Sequence, residues 1–209
     1  SDASAWRLRA VLGSVRILEH THAGGSAPLC AVKGIVQVDA PPRSVRNMVL
    51  ELREIRRQWD LTFEGGDVVD SLSPNSDVAH VVLNMNAFPW SSITAERDVV
   101  VWRHWIELPP DTTAADTESG AAGNGYLVVS ASTLHTSCRP VHGLHRAVVE
   151  LEAWHILPVA FSVRSEVTHF AAVRFGGTLG ALARRRAGLR ERLHEPFFAR
   201  LSALALYAT

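Results

Sequence analysis

Arg97-Asp98-Val99-Val100-Val101-Trp102-Arg103-His104-Trp105 is the stretch on which the fold turns. It is rich in β-branched and aromatic residues, and neither Gly nor Pro interrupts it, so it reads as a strand. Successive side chains alternate between faces. One face then carries Arg97, Val99, Val101, Arg103 and Trp105, and the other Asp98, Val100, Trp102 and His104. A strand buried on both sides accommodates Arg103 only if the guanidinium meets an acid, a ligand or water. Two readings follow. The strand lies at an edge with Arg103 in solvent, or Arg103 is a polar group set in the wall of an apolar cavity.

The flanking segments supply the frame. Val78–Met85 reads as a strand before it, and Tyr126–Ser132, Arg146–Leu157 and Val163–Val173 as three strands after it. Leu61–Ser71 reads as another, as do Val15–Glu19 and Leu29–Val38 near the start. Trp6–Leu12 reads as a short amphipathic helix closed by Gly13-Ser14. Pro41-Pro42 opens a helix, since a missing N–H costs nothing at a helix start. Val45, Met48, Val49, Leu52, Ile55 and Trp59 recur at spacings of three and four, which predicts one continuous helix over 42–58 with a solvated arginine-rich face. Residues 109–125 are poor in large apolar side chains and read as a hairpin excursion. After Gly176-Gly177 a second amphipathic stripe runs through Leu179, Leu182, Leu189, Leu193, Phe197, Leu201 and Leu204, with a break expected near His194-Glu195 before Pro196. Strand runs bracketed by helices argue an α+β fold with an antiparallel sheet, and the last helix must bury its stripe against it. A curved sheet gripping a helix leaves a cavity between them.

The chain of 209 residues is 47% hydrophobic and 20% charged, which suits a single domain over 1–209 with a substantial core. Its 21 Lys and Arg balance its 21 Asp and Glu, so no overall field draws nucleic acid to it. Cys30 and Cys138 form no disulfide framework, and a reducing, cytoplasmic setting is expected. No apolar run is long enough to span a membrane, and the N-terminal residues lack a signal-peptide pattern. His135, Cys138, His142 and His145 are of zinc-ligating types, but their spacing matches no finger pattern, so no metal and no cofactor is expected. Phosphate loops, serine elbows and His-Glu-x-x-His pairs are absent, and the chain is not expected to be an enzyme.

These features together resemble the START (steroidogenic acute regulatory protein-related lipid transfer) domain. The resemblance rests on an ordered set: Gly34-Ile35-Val36-Gln37-Val38 leading into the Pro-initiated helix, Trp59-Asp60, Arg97-Asp98-Val99-Val100, Ser130-Ala131-Ser132 with Pro140 and Arg146-Ala147, and the terminal helix. Phe175-Gly176-Gly177-Thr178-Leu179-Gly180 departs from the family's pattern, which has an acidic residue and Gly-x-x-Pro there. The resemblance implies a helix-grip fold, a curved antiparallel sheet wrapped on a long C-terminal helix around a hydrophobic tunnel for one lipid. It implies a monomer that carries a sterol, phospholipid or similar lipid between membranes, touching a membrane surface transiently. A regulatory lipid sensor within a larger protein, or a hydrolase or cyclase on the same scaffold, are the other readings. The expected tunnel residues are Val99, Val101, Arg103, Leu127, Val129, Val149, Leu182 and Leu189, uncertain by one residue of strand register. Phe88 and Trp90 are the expected membrane contacts, since Trp suits the membrane–water interface. In sterol-binding relatives an acid on the preceding strand pairs with the arginine. Val78–Met85 offers no carboxylate, so a ligand phosphate, which suits the guanidinium fork, is favoured slightly as its partner.

Overall fold

The structure is a computed structural model, and it describes residues 6–20, 30–84, 86, 96–110, 123–174 and 195–208. The strands are β1 (Trp6–Leu12), β2 (Val15–His20), β3 (Cys30–Val38), β4 (Phe63–Ser73), β5 (Ser76–Leu83), β6 (Arg97–Leu108), β7 (Gly125–Ser132), β8 (His145–Arg146), β9 (Val148–Pro158) and β10 (Ser165–Arg174). The helices are α1 (Pro42–Leu50), α2 (Glu54–Trp59) and α3 (Glu195–Tyr207). The sheet runs β1-β2-β3-β10-β9-β7-β6-β5-β4 with antiparallel neighbours, and the short β8 lies parallel beside the start of β6. This is the expected α+β helix-grip arrangement, with β6 inside the sheet rather than at its edge. Among the described residues no helix is long and apolar enough to cross a membrane.

One concave face of the sheet receives all three helices. Helix α1 packs on β7 and β9, α3 packs on β3 and β2, and α2 meets α3. Val36, Val45, Val128, Trp154, Leu201 and Leu204 are buried at these contacts. Gly34, in the middle of β3, is where α3 comes closest. A Cβ at that position would lie 2.2 Å from Cδ1 of Leu201, itself fully buried.

Two elements differ from the sequence expectation. Trp6–Leu12 is a strand, not a helix, and pairs with β2 through a turn at Gly13-Ser14. Gly13 has φ 58°, a left-handed conformation that glycine adopts without a steric cost. Alternation of Trp6, Leu8, Ala10 and Leu12 with Arg7, Arg9 and Val11 fits period two as well as a single helical turn, and sheet pairing decides it. The helix over 42–58 is two helices. Glu51 turns extended, with ψ 136°, and its carboxylate accepts the backbone N–H of Arg53 (2.7 Å) and of Arg56 (3.0 Å). The chain leaves α1 at this residue, and its side chain satisfies two backbone N–H groups at the start of α2. The apolar stripe runs on through the break, so periodicity alone does not show it.

Both edges of the sheet carry irregular pairing. The register of β1 against β2 shifts between Leu8 and Ala10. That of β4 against β5 shifts between Phe63 and Gly65, Val68 and Asp70, and Ser71 and Ser73. Residues 85, 87–95, 111–122 and 175–194 lie outside the described residues, and with them Phe88, Trp90, Leu182, Leu189 and the 175–180 departure from the family pattern.

Gly34→Ala is expected to lower stability by about 1–3 kcal/mol, the usual cost of overpacking a closed core. Thermal or denaturant unfolding monitored by circular dichroism checks it.

Candidate functional site

The site starts at the concave face of β6. Val99, Val101 and Arg103 point there, and all three are buried. Asp77 on β5 lies directly opposite Arg103 in the antiparallel register. Its carboxylate accepts Arg103 Nε and Nη2, each at 2.7 Å, in the two-pronged geometry that matches guanidinium to carboxylate. Arg103 Nη1 donates to the carbonyl of Leu50 at 2.9 Å. That carbonyl is free because α1 ends there. The expectation that the preceding strand holds no carboxylate is therefore corrected: β5 begins at Ser76, two residues before the sequence reading placed it, and brings Asp77 into the ladder.

The register extends this pair into a polar row. Arg103 faces Ser130 on β7, and Ser130 faces Glu152 on β9. Asp77, Arg103, Ser130 and Glu152 therefore cross four neighbouring strands, in an otherwise apolar wall.

Glu152 belongs to a second buried cluster under α3. It accepts from Arg200 Nη1 at 3.2 Å and hydrogen-bonds His169 Nε2 at 2.9 Å. Arg200 Nε lies 3.0 Å from Asp60 Oδ2, an ion pair without hydrogen-bond alignment. Arg56 Nε donates to the same oxygen at 2.6 Å, and Arg56 Nη1 donates to the Val49 carbonyl, also at 2.6 Å. Thr62 donates its hydroxyl and its backbone N–H to the other Asp60 oxygen. Two tryptophans floor the cluster. Arg56 lies over Trp59 at 4.8 Å, and Arg200 over Trp154 at 5.2 Å, positions where a ring face attracts a cation. His169 stacks on Trp154 with ring centres 3.9 Å apart.

Burial alone would raise the Glu152 carboxyl, but Arg200, the hydrogen bond of His169, and Arg56 bring it well below the usual range. Asp60 is likewise raised by burial and lowered further by Arg200, Arg56 and Thr62, ending below its ordinary value. Both acids are ionised. Burial lowers His169, and Arg200 and Arg56 act in the same direction against Glu152, so its ring stays neutral.

Between the two clusters lies a cavity of about 80 Å³. Val49, Leu52, Phe63, Val81, Leu83 and Val173 supply apolar wall, and Arg103, Ser130, Glu152 and Arg200 the polar points. Ligand pockets usually enclose about 300–1,000 Å³. A volume of that size is far too small for a lipid, so a lipid needs the walls to part.

Four of the expected tunnel residues, Val99, Val101, Arg103 and Val149, stand on this wall. Leu127 and Val129 do not. They face the convex side, opposite Ile106 and His104, while Val128 and Ser130 face the cavity. This is the one-residue slip of register that exchanges the faces of a strand. Asp77, Glu152 and Arg200 were missed, although each is an ionisable residue at an apolar-facing position of its strand or helix. On the convex side, Asp98 accepts both Nε and Nη2 of Arg146 and hydrogen-bonds His80 at 2.9 Å. Burial alone would raise Asp98; those partners lower it below its usual value. His135, Cys138, His142 and His145 lie in the connection before β8 and at its first residue. Among the described residues no three His, Cys, Asp or Glu side chains gather as a metal-ligating group.

A family model described as the START domain matches residues 14–190. Human StAR-related lipid transfer protein 13 is 31% identical over 155 residues, 74% of this chain and 12% of its own length. The Arabidopsis thaliana protein Enhanced Disease Resistance 2-like is 24% identical over 178 residues, 82% of this chain and 23% of its own. The chain thus spans less than a quarter of either relative. Among solved structures, the human StarD13 lipid transfer and protein localization domain superposes with a TM-score of 0.71 at 24% identity, over 98% of this chain and 89% of that one.

Two outcomes follow from the charge clusters. Asp77→Ala leaves a buried guanidinium without its counter-charge and is expected to cost about 3–5 kcal/mol, whereas the double change Asp77→Leu with Arg103→Met restores most of it; denaturant unfolding of both variants checks this. His169 is held below its ordinary value of 6.5, so the unfolded chain takes up a proton that the folded chain refuses. Its contribution to stability is present above that value and is lost as pH falls from there toward the lowered folded value. The melting temperature should therefore drop on going below about pH 6.5, and less steeply in His169→Gln, as read from thermal unfolding across pH.

Proposed function

The chain belongs to the START domain family, and on that basis we propose that it binds one uncharged, hydroxyl-bearing lipid between the sheet and the last helix and carries it between membranes. The observation that carries the choice of ligand is charge balance. Arg103 is neutralised by Asp77, and Arg56 and Arg200 face Asp60 and Glu152. With His169 neutral, the described residues that line the cavity leave no cation over for a phosphate. The preference for a phosphate partner drawn from the sequence is therefore withdrawn. What the cavity offers instead is hydrogen bonding. Arg103 has five N–H groups, three of them engaged, and the Ser130 hydroxyl stands beside it in the polar row. A lipid hydroxyl or carbonyl can bond there while its hydrocarbon meets Val99, Val101, Val149 and Val173.

We read the protein as a carrier and not an enzyme, because the described acids that line the cavity, Asp60 and Glu152, are engaged in ion pairs and not poised to exchange a proton. We also propose a monomer in a cytoplasmic setting that visits membranes through the segment holding Phe88 and Trp90, and that does not bind nucleic acid. A second reading has support in the lengths of the relatives: the domain is a lipid-sensing or membrane-docking module of a larger protein. Transfer between labelled vesicles separates the two, since a carrier moves lipid catalytically and a sensor only retains it.

Native mass spectrometry of the protein as purified, followed by lipid extraction, is expected to find one neutral lipid per chain, of the sterol, diacylglycerol or ceramide kind. One phospholipid per chain, or no uptake from a panel of neutral lipids, overturns the proposal.

A further inference from the structure

We infer that the lipid is an acylglycerol with one free hydroxyl, a diacylglycerol rather than a sterol or a ceramide. The inference deepens the reading of the protein as a carrier of a neutral lipid and rests on it. What selects the head group is hydrogen-bond balance: the described cavity wall holds more unmet donors than unmet acceptors.

The donors are on arginines. Arg103 is buried and lines the cavity. The Asp77 carboxylate and the Leu50 carbonyl take three of its five N–H groups. The other two, one on Nη1 and one on Nη2, meet no acceptor among the described residues. Arg200, also buried and also lining the cavity, is further from satisfied. Its Nη1 donates to Glu152, its Nε lies beside Asp60 out of alignment, and its Nη2 makes no hydrogen bond among the described residues. Asp77, Asp60 and Glu152 meet the charge of both guanidiniums. What the two lack is oxygen lone pairs, not negative charge.

The acceptors are fewer. Ser130 is 4% exposed and lines the cavity, and its hydroxyl has no hydrogen-bond partner among the described residues. Glu152 takes His169 and Arg200 on Oε1, and no hydrogen bond reaches its Oε2 among the described residues. These groups form one row. Arg103, Ser130 and Glu152 lie in register on β6, β7 and β9, about 10 Å from first to last at two strand spacings. Arg200 comes down from α3 onto the Glu152 end.

Hydrocarbon packed against this row leaves each unmet group to bear its full desolvation. The head group that fits is neutral and rich in acceptors. A sterol brings a single hydroxyl and meets one end of the row. A ceramide brings two hydroxyls and an amide N–H, three more donors against a wall already in excess of them. A diacylglycerol brings two ester carbonyls, which only accept, and one hydroxyl proton. The carbonyls answer Arg103 and Arg200, and the proton has Glu152 Oε2 or Ser130 Oγ to go to.

The test offers the whole chain, stripped of lipid, equal amounts of 1,2-dioleoylglycerol, its 1,2-dioleyl ether analogue, cholesterol, ceramide and dioleoylphosphatidylcholine from cyclodextrin, and counts bound lipid by native mass spectrometry. The ether keeps the chains and the hydroxyl but lacks both carbonyls. Dioleoylglycerol is expected to load about tenfold over every competitor, the worth of one or two well-made hydrogen bonds. Ser130→Ala should weaken its binding about fivefold. The melting temperature of the empty variant should be unchanged, since the hydroxyl has no partner there to lose. Ester and ether loading alike, or a preference for cholesterol or ceramide, overturns the inference and leaves the neutral-lipid reading standing. A Ser130→Ala protein that binds like wild type, or that melts lower when empty, also overturns it. A preference for the phosphatidylcholine, or no loading of any of the five, overturns the neutral-lipid reading itself and the inference with it.

Discussion

A guanidinium taken out of water must find an acid and enough acceptors for its remaining N–H groups, and three arginines of this chain meet that demand at once. The break between α1 and α2 supplies much of what they need. Ending α1 at Leu50 leaves its last carbonyls unbonded, and Arg103 and Arg56 take those of Leu50 and Val49. Had the helix run on through residues 51–53, both carbonyls would be occupied within it. The kink at Glu51, the register of β5 on β6 and the position of α1 over β7 are thus parts of one arrangement.

The second cluster connects elements that the backbone does not. Arg200 on α3 reaches Asp60 after α2 and Glu152 on β9, with Trp154 beneath it. Helix α3 is therefore held by two means of different character, the apolar contact of Leu201 at Gly34 and a set of buried ion pairs. Ion pairs of this kind depend on staying dry, so any motion that wets the cavity weakens them as well. The small volume of the closed cavity and the integrity of this cluster support one another.

Much of this architecture was legible in the sequence, and the exceptions have physical causes. The places of β6, β9 and β10 follow from stretches that hold β-branched and aromatic residues and no internal Gly or Pro. Trp6–Leu12 is too short for its period to decide between helix and strand, and its partner β2 decides. In β7 the apolar residues Leu127 and Val129 drew the inward assignment, yet they face outward. The inward set, Tyr126, Val128 and Ser130, is the more polar one because it includes part of the polar row. Sorting faces by hydrophobicity fails where a cavity contains its own charges. Asp77 was hidden by a strand start placed two residues late, a small displacement that removed the principal partner of Arg103.

The uneven pairing of β1 and β4 bears on how the molecule behaves in a crowd of its own kind. Among the described residues both strands border the sheet and have no strand paired on one side, the feature through which sheets recruit further strands into aggregates. An incoming strand needs those groups at regular intervals. Along β4 the spacing changes at Gly65, at Asp70 and at Ser73, so no straight strand can match more than a short run of it. The same irregularities that bend the sheet around its helices make its border a poor template for growth.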